Sequence, residues 1–167
     1  MADVDRLKAA QGLSTTDDVE AYFGRKVVAI IEGLGKRPMA WDEQVDAQAP
    51  RSVVIQWWRM GKPEVLAAAA KAGYELVLSP ADRAYFDYPQ GPGEPGAPWE
   101  GNQGGPQSIA KLLAWEPVPR GFTPEQSARV LGVEAAVWTE FIETERYLEF
   151  MSFPRLLALA EVASVPR

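Results

Sequence analysis

Aromatic residues and carboxylates occur together at the ends of four apolar, strand-like runs in this chain. These endings lie in the segments 39–43, 53–58, 76–87 and 135–140. Aromatic rings offer flat apolar surfaces and carboxylates accept hydrogen bonds from hydroxyl groups, a combination suited to holding a sugar ring. Because the active sites of α/β barrels lie at the carboxyl ends of parallel strands, we expect a sugar-binding surface built on strand ends.

Composition narrows the function classes. A chain of 167 residues with 47% hydrophobic and 24% charged residues predicts one globular domain over 1–167. Its net charge of -6 argues against nucleic acid and anionic membranes as partners. The chain has no cysteine and no histidine, which excludes thiol nucleophiles, zinc-thiolate sites and histidine-based triads. We therefore expect neither a cofactor nor a metal.

The amino-terminal segment lacks the pattern of a secretion signal. Residues 1–6 contain neither a basic cluster nor the start of an apolar run. The sequence-based expectation is therefore a soluble protein, with the cytoplasm as the default location.

The first half of the chain alternates between helix and strand patterns. Apolar residues spaced by three and four predict an amphipathic helix from Ser14 or Thr16 to about Gly33. Strands are predicted at 38–41 and 52–58, the second with the β-branched character of a buried strand.

The alternation continues through the rest of the chain. Further predicted elements are a helix from Pro63 to 72, a strand at 75–78, a Gly/Pro-rich surface loop at 88–106, short helices from about Gln107 and after a cap at Thr123, a strand at 132–138, and a last helix at 144–162 kinked or divided at Pro154. One helix followed by four βα units indicates an α/β fold with a parallel sheet and right-handed crossovers. Four such units are half of an eight-stranded TIM barrel.

Several segments, in order over nearly the whole chain, resemble the catalytic domain of glycoside hydrolase family 20, the β-N-acetylhexosaminidases. The segments that carry the resemblance are Gln11-Gly12-Leu13, Glu20-Ala21-Tyr22-Phe23, Ala40-Trp41-Asp42-Glu43, Leu78-Ser79-Pro80, Tyr85-Phe86-Asp87-Tyr88, Trp115-Glu116-Pro117-Val118-Pro119, 131–140 and 153–161. The resemblance implies the carboxyl-terminal half of the barrel, strands 5 to 8.

The resemblance also implies a reaction and a role for each site residue. Family 20 enzymes cleave a terminal N-acetylhexosamine with retention, using the substrate's own acetamido oxygen as the nucleophile. Tyr85 would donate its hydroxyl to that oxygen and orient it, while Asp87 and Glu140 would accept hydrogen bonds from sugar hydroxyls, Glu140 at the 4- and 6-positions. The walls around the acetamide and the sugar face would be Trp41, Trp58 and Trp138. The implied substrates are N-acetylhexosamine-terminated glycans or chitooligosaccharides.

The sequence departs from the family pattern at the catalytic pair. In family 20 an Asp-Glu pair follows the fourth strand and a sugar-binding arginine follows the first, and neither strand is expected here. Asp42 and Glu43 copy the dipeptide but follow the fifth strand. We interpret them as a helix start or as supporting acids, so the isolated chain should bind a sugar weakly and hydrolyse almost nothing.

The other tryptophans have different expected roles. Strand alternation points Trp57 away from Trp58 and towards a helix. Trp99 and Trp115 could line an extended sugar subsite or could fix the Gly/Pro-rich loop.

A half barrel should leave two strand edges unpaired, those before Trp41 and Trp138. We also expect the inward side chains Val53, Ile55, Val77 and Val137 to lack opposing strands. The expected partner is a second copy of the chain or a complementing half-barrel chain. Three interpretations stay open: part of a hexosaminidase, an inactive sugar-binding half barrel, and a fragment that folds only by oligomerising.

Overall fold

A four-stranded parallel sheet forms the centre of the chain. The computed structural model describes residues 2–45, 48–98 and 105–164. The strands are β1 (Met39–Trp41), β2 (Val54–Trp57), β3 (Glu75–Leu78) and β4 (Val130–Val133), and they are adjacent in chain order. The parallel α/β architecture predicted from the sequence is confirmed.

Seven α-helices accompany these strands in the described ranges: α1 (Ala2–Gln11), α2 (Thr16–Gly33), α3 (Pro63–Lys71), α4 (Ile109–Leu113), α5 (Pro124–Ser127), α6 (Glu145–Ser152) and α7 (Arg155–Ser164). Two helices precede β1, whereas the sequence predicted only α2. The predicted division of the last helix at Pro154 is present as the break between α6 and α7. No helix in the described part of the chain is long and apolar enough to cross a membrane.

Side-chain caps fix the ends of several helices. The Thr15 hydroxyl accepts a hydrogen bond from the Asp18 amide at 3.0 Å, and the Asp18 carboxylate accepts one from the Thr15 amide at 2.8 Å. This reciprocal pair starts α2 between the two predicted capping residues. Thr123 forms an equivalent pair with Gln126 and begins α5, as the sequence predicted.

The main core lies between the sheet and the helices α3, α4 and α7. Ile55 and Leu76 are neighbours across β2 and β3, and both are fully buried in it. Val53 joins the same cluster and Val137 packs against it from a half-buried position. The expectation that Val53, Ile55 and Val137 face the open side is therefore wrong, because strand alternation turns them towards the helices.

The opposite face of the sheet carries a polar centre. Gln56 and Val77 are register partners on that face, so Val77 lies there as expected. Gln56 is only 7% exposed and donates hydrogen bonds to the Ser79 hydroxyl at 2.9 Å and to the Glu134 carboxylate at 2.7 Å. Hydrogen-bonded polar side chains, and not packed apolar ones, occupy the middle of this face.

The last strand starts earlier and ends earlier than the predicted range 132–138. Leu76 pairs with Val130 and Val77 pairs with Gly132, so Leu131 is an extra residue in β4 and is 53% exposed. Such an insertion is a β-bulge, for which a glycine within a strand is a typical signal.

Beyond β4 the chain pairs with a loop instead of with a strand. The Ala136 amide donates to the Ala84 carbonyl and the Phe86 amide donates to the Ala136 carbonyl, each at 2.8 Å. The predicted strand therefore continues as an extended segment, but its partner is the loop that follows β3. This pairing carries Trp138 to the carboxyl end of the sheet.

One face of α2 is apolar and exposed. Phe23, Val27, Ile30 and Leu34 recur at helical spacing and are 68%, 37%, 63% and 72% exposed. We call these four residues the α2 stripe. Apolar side chains at three- and four-residue intervals normally cover a hydrophobic surface.

Candidate functional site

A cavity of about 460 Å³ opens at the carboxyl ends of the strands. It is lined by all six residues that the resemblance implies, together with two more: Trp41, Glu43, Trp58, Tyr85, Asp87, Tyr88, Trp138 and Glu140. Its volume lies in the range of small-ligand sites. The structure thus brings together side chains that span a hundred positions of sequence.

Each strand end contributes to this cavity in turn. Trp41 ends β1, Trp58 directly follows β2, and Tyr85 lies on the loop after β3. Trp138 lies on the extended segment after β4. Because all four strands are parallel, their carboxyl ends meet at one edge, and this explains the convergence.

Tyr85 lies at the centre of the aromatic wall. Its ring centroid is 6.1 Å from that of Trp58, 6.0 Å from that of Trp138 and 5.9 Å from that of Tyr88. Trp41 extends the wall, with its centroid 6.0 Å from that of Trp138. These distances are those of contacting aromatic rings, so the wall is continuous.

Burial keeps the Tyr85 hydroxyl protonated. Tyr85 is 8% exposed, and desolvation raises the pKa of its phenol well above the usual value of 10.0. The side-chain hydrogen bond with Trp138 works in the opposite direction but does not offset it. At neutral pH the group is therefore a neutral phenol that can donate a hydrogen bond into the cavity.

Asp87 is a buried carboxylate at the cavity wall. It is 4% exposed, and neither of its oxygens makes a hydrogen bond of full geometry within the described residues, although the backbone amides of Asp87 and Trp138 lie near enough to lower its pKa. Desolvation nevertheless raises that pKa to about 6, the nearby negative charge of Glu140 contributes in the same direction, and Arg155 lowers it. Buried polar atoms are normally hydrogen-bonded, so two weakly matched acceptors at a cavity wall indicate a place for hydroxyl donors.

Glu43 lines the cavity, whereas the sequence predicted for it only a helix start or a supporting role. Its carboxylate accepts a hydrogen bond from the Trp58 indole nitrogen at 2.9 Å. The contact joins the ends of β1 and β2 and fixes the plane of the indole. Its position two residues after Trp41 was the available signal, since a strand end places nearby residues at the same edge.

Asp42 has a different environment from its neighbour. It begins a short 3₁₀ helix at Asp42–Gln44, is 1% exposed and forms an ion pair with Arg59 at 3.1 Å. Desolvation raises its pKa to about 6 although Arg59 opposes the shift. Asp42 does not line the cavity. Glu43 contributes to the raised pKa of Asp42 through its charge and a side-chain hydrogen bond, so the two acids are in contact although only Glu43 lines the cavity.

Tyr88 is the second cavity residue that the sequence analysis did not single out. It is 3% exposed and packs edge-on against Tyr85. The sequence signal was its place directly after Asp87 in the aromatic segment 85–88.

Comparison with known proteins decides the family. The sequence profile described as glycosyl hydrolase family 20, catalytic domain, matches residues 2–165. The chain belongs to glycoside hydrolase family 20. The resemblance noted from the sequence is thereby confirmed.

Two relatives of this family 20 chain are both named as hexosaminidases. It is 36% identical over 156 residues to a beta-N-acetylhexosaminidase of Cellulomonas fimi, covering 90% of this chain and 30% of that protein. It is 28% identical over 158 residues to a beta-hexosaminidase of Porphyromonas gingivalis, covering 93% and 19%. The chain thus spans 19% to 30% of the length of these relatives.

Solved family 20 structures share the fold. A GH20 exo beta-N-acetylglucosaminidase from Vibrio harveyi in complex with N-acetylglucosamine superposes with a TM-score of 0.82 at 30% identity, over 98% of this chain and 25% of that one. The Streptomyces coelicolor GH20 beta-N-acetylhexosaminidase gives 0.78 at 31% identity, over 93% and 32%. The four-stranded sheet accordingly matches part of these longer structures.

Two further tryptophans of this family 20 chain, Trp57 and Trp115, lie away from the cavity. Trp57 packs against the main core, and its indole nitrogen donates to the Lys62 carbonyl at 3.4 Å. Trp115 is 8% exposed within the same core. Trp99 lies outside the described residues, and its expected role stays a prediction. Within the described ranges, no group of acidic side chains is placed to hold a metal ion.

Proposed function

We propose that this chain forms the sugar-recognising wall of a β-N-acetylhexosaminidase site and binds a terminal N-acetylhexosamine. The observation that carries the proposal is the buried carboxylate of Asp87 at the wall of an aromatic cavity, whose two oxygens make no hydrogen bond of full geometry within the described residues. Family membership and the activity named for the relatives support the same ligand class. The substrates would be N-acetylhexosamine-terminated glycans or chitooligosaccharides.

Each group in the cavity has a task in this proposal. The rings of Trp41, Trp58 and Trp138 cover the apolar faces of the sugar and of its acetamide methyl. The neutral Tyr85 phenol donates to the acetamido oxygen and holds it below the anomeric carbon. Asp87 and Glu140 accept hydrogen bonds from ring hydroxyls, because carboxylates accept two or more such bonds.

Hydrolysis by this route needs a proton donor as well as an oriented acetamide. In the substrate-assisted reaction the acetamido oxygen attacks the anomeric carbon while a general acid protonates the leaving oxygen. The sequence contains one Asp-Glu dipeptide, at Asp42-Glu43. Asp42 is held by Arg59 away from the cavity, and Glu43 accepts the Trp58 indole hydrogen. We propose that this pair supports the wall and does not catalyse.

A chromogenic N-acetylglucosaminide assay tests that role. Losing a positioned general acid costs on the order of a hundredfold to ten-thousandfold in rate, so the chain alone should show no turnover above background. Glu43→Gln should leave the absence of turnover unchanged. Glu116→Gln, which alters an exposed acid outside the cavity, is the control and should give the same result. Robust turnover that disappears only in Glu43→Gln would make Glu43 a catalytic acid and overturn the assignment.

A second candidate function is structural association. The α2 stripe leaves large apolar side chains in water, and β1 and β4 are the two ends of the described sheet. We propose that residues 1–167 form one domain, the carboxyl-terminal half of a barrel. We also propose that a second copy of the chain covers the α2 stripe and the sheet edges. A complementing half-barrel chain is the alternative partner, and light scattering of the chain alone distinguishes the two.

A further inference from the structure

Arg155 is a fully buried arginine at the start of α7. Its guanidinium donates to the carbonyl oxygens of Phe86 at 2.6 Å and Tyr88 at 2.8 Å. It also donates to the Met151 carbonyl, 3.1 Å from Nε, and stacks 4.7 Å from the Phe86 ring centroid. Burying a guanidinium is costly unless its donors are satisfied, and here two carbonyl groups of one loop satisfy them together with those of Met151 and Gln107.

Gln107 holds the same loop from its other side. It is 0% exposed, and its side-chain oxygen accepts a hydrogen bond from the Tyr85 amide at 3.1 Å. Its side-chain nitrogen donates to the Ala81 carbonyl. Its backbone carbonyl lies 3.5 Å from Nη1 of Arg155, so the two side chains belong to one network.

The loop they hold carries Tyr85 and Asp87, two buried polar groups of the cavity. Residues 79–89 contain neither helix nor strand, apart from one isolated bridge at Tyr85. The contacts fall on the cavity residues or beside them: the Tyr85 amide, the Phe86 carbonyl and the Tyr88 carbonyl are each bound by Gln107 or Arg155. Asp87 lies between two residues whose carbonyls are fixed by one guanidinium.

We propose that Arg155 and Gln107 are positioning residues that hold Tyr85 and Asp87 in their ligand-binding orientation. The inference rests on the proposed function in assigning a sugar to the cavity, but the effect on loop order does not depend on it. Neither residue lines the cavity, so both act through the backbone. Irregular backbone carries precise side-chain geometry only when surrounding contacts determine it, and these contacts do so.

The charge of Arg155 adds a second effect at the same loop. Desolvation lowers its pKa to about 10, which leaves the guanidinium protonated at neutral pH. Its positive charge lowers the pKa of Asp87 against the desolvation that raises it. The arginine therefore orders the loop and also favours the ionised form of the carboxylate that the loop presents.

Hydrogen exchange of the ligand-free protein tests the positioning directly. Arg155→Lys keeps the charge but has too few planar donors for several carbonyls, and Gln107→Met keeps the volume but removes both side-chain hydrogen bonds. The matched control is Leu159→Ala on α7, which empties core volume without removing a hydrogen bond to the loop. Each variant is compared with the wild type amide by amide.

The expected result is local. Protection of the Tyr85 and Phe86 amides should fall at least about tenfold in Arg155→Lys and in Gln107→Met, while amides of α3 keep wild-type protection. Leu159→Ala should instead lower protection throughout the core. Unchanged exchange at the loop in Gln107→Met, or equal loss in α3 and in the loop in both variants, would overturn the proposal. If Arg155→Lys does not fold, Gln107→Met decides alone.

A double-mutant cycle links loop order to recognition. Tyr85→Phe should weaken binding of N-acetylglucosamine-thiazoline about fivefold to tenfold in the wild type but less than twofold in Gln107→Met, because the hydroxyl is already misplaced there. In Leu159→Ala the Tyr85→Phe effect should stay at its wild-type size. Full additivity in Gln107→Met contradicts positioning. If the wild type does not bind the thiazoline, the proposed function fails while the exchange result still decides this inference.

Discussion

The cavity and the α2 stripe both expose apolar surface, but they differ in the polar groups around it. In the cavity, aromatic rings surround the buried Asp87 carboxylate and the neutral Tyr85 phenol, and the wall is concave. The stripe lies along one face of α2, with Phe23 68% and Leu34 72% exposed, and Phe23 and Val27 also line a groove beside that helix. Apolar walls with convergent polar groups suit a small polar ligand, whereas a plain apolar helix face suits another protein surface.

Changing the stripe should produce the largest effect. Phe23→Glu combined with Ile30→Glu should convert a self-associated chain into a monomer at low micromolar concentration. Burying each of these side chains stabilises by about 1.5–3 kcal/mol, so losing two weakens association by more than about a hundredfold. Light scattering across a concentration series measures the change.

The control for this pair lies on another helix. Val4→Glu alters an apolar residue of α1 that is 42% exposed and lies outside the stripe, so it should leave the mass unchanged. A wild-type chain that stays monomeric and does not bind a dye for exposed apolar surface would contradict the proposed association while leaving the cavity assignment intact.

Removing one indole should affect the cavity and leave association unchanged. Trp138→Ala removes the ring that contacts both Trp41 and Tyr85, so the affinity for N-acetylglucosamine-thiazoline should fall about tenfold to a hundredfold. Phe141→Ala is the matched control, since Phe141 is 43% exposed against 40% for Trp138 and does not line the cavity. Equal losses in both variants would argue against a localised site.

Removing one hydroxyl should have a smaller effect. Tyr85→Phe keeps the ring contacts and deletes the donor to the acetamido oxygen, so affinity should fall about fivefold to tenfold. Tyr147→Phe, on α6, provides the control and should bind as the wild type does. A Tyr85→Phe variant with full affinity would show that the phenol contributes a wall and no hydrogen bond.

Lowering the pH from 7 to 5 should have the smallest effect on affinity, a loss of about threefold. Burial raises the pKa of Asp87 to about 6, so the carboxylate becomes protonated over this interval and accepts fewer hydroxyl hydrogen bonds. Asp87→Asn should flatten the dependence, and Asp17→Asn on α2 should not. A wild-type affinity that is constant over this range would contradict the role of the carboxylate.

Stability should respond to pH in the opposite direction from affinity. The ordinary pKa of Asp42 and Asp87 is 3.8, and both are raised to about 6 in the fold. Between these values the folded state holds protons that the unfolded state has released, so the free energy of unfolding decreases as the pH rises from about 4 to 6. Urea unfolding at fixed protein concentration measures the sign of this pH dependence. The dependence should be weaker in Asp42→Asn. A rising free energy would contradict the burial of these acids.

The strands and the aromatic strand endings were predictable because parallel strands have short, strong patterns. Trp41 and Trp58 close apolar runs, and their convergence follows from strand direction. The end of β4 was not predictable from its run, because the apolar residues after Val133 pair with the loop at 84–86 and no longer with β3. A local sequence pattern indicates that a segment is extended, but it does not indicate which segment of the chain pairs with it.

Other features depend on contacts that sequence spacing does not contain. The role of Glu43 comes from the Trp58 indole, which is fifteen residues away. The fixing of Tyr85 comes from Gln107, and that of Phe86 from Arg155. Helix α1 escaped prediction because half of its residues are polar and three of the apolar ones are alanines, so it has only a weak apolar period.

The central claim is that the cavity recognises the acetamido group of an N-acetylhexosamine, and a fluorescence titration tests it most directly. The indoles of Trp41, Trp58 and Trp138 line the cavity, so a bound ligand should change their emission. We predict a saturable change with N-acetylglucosamine-thiazoline at or below millimolar concentration and no matching change with glucose. The absence of a response to the thiazoline at millimolar concentration, or an equal response to glucose, would contradict the claim.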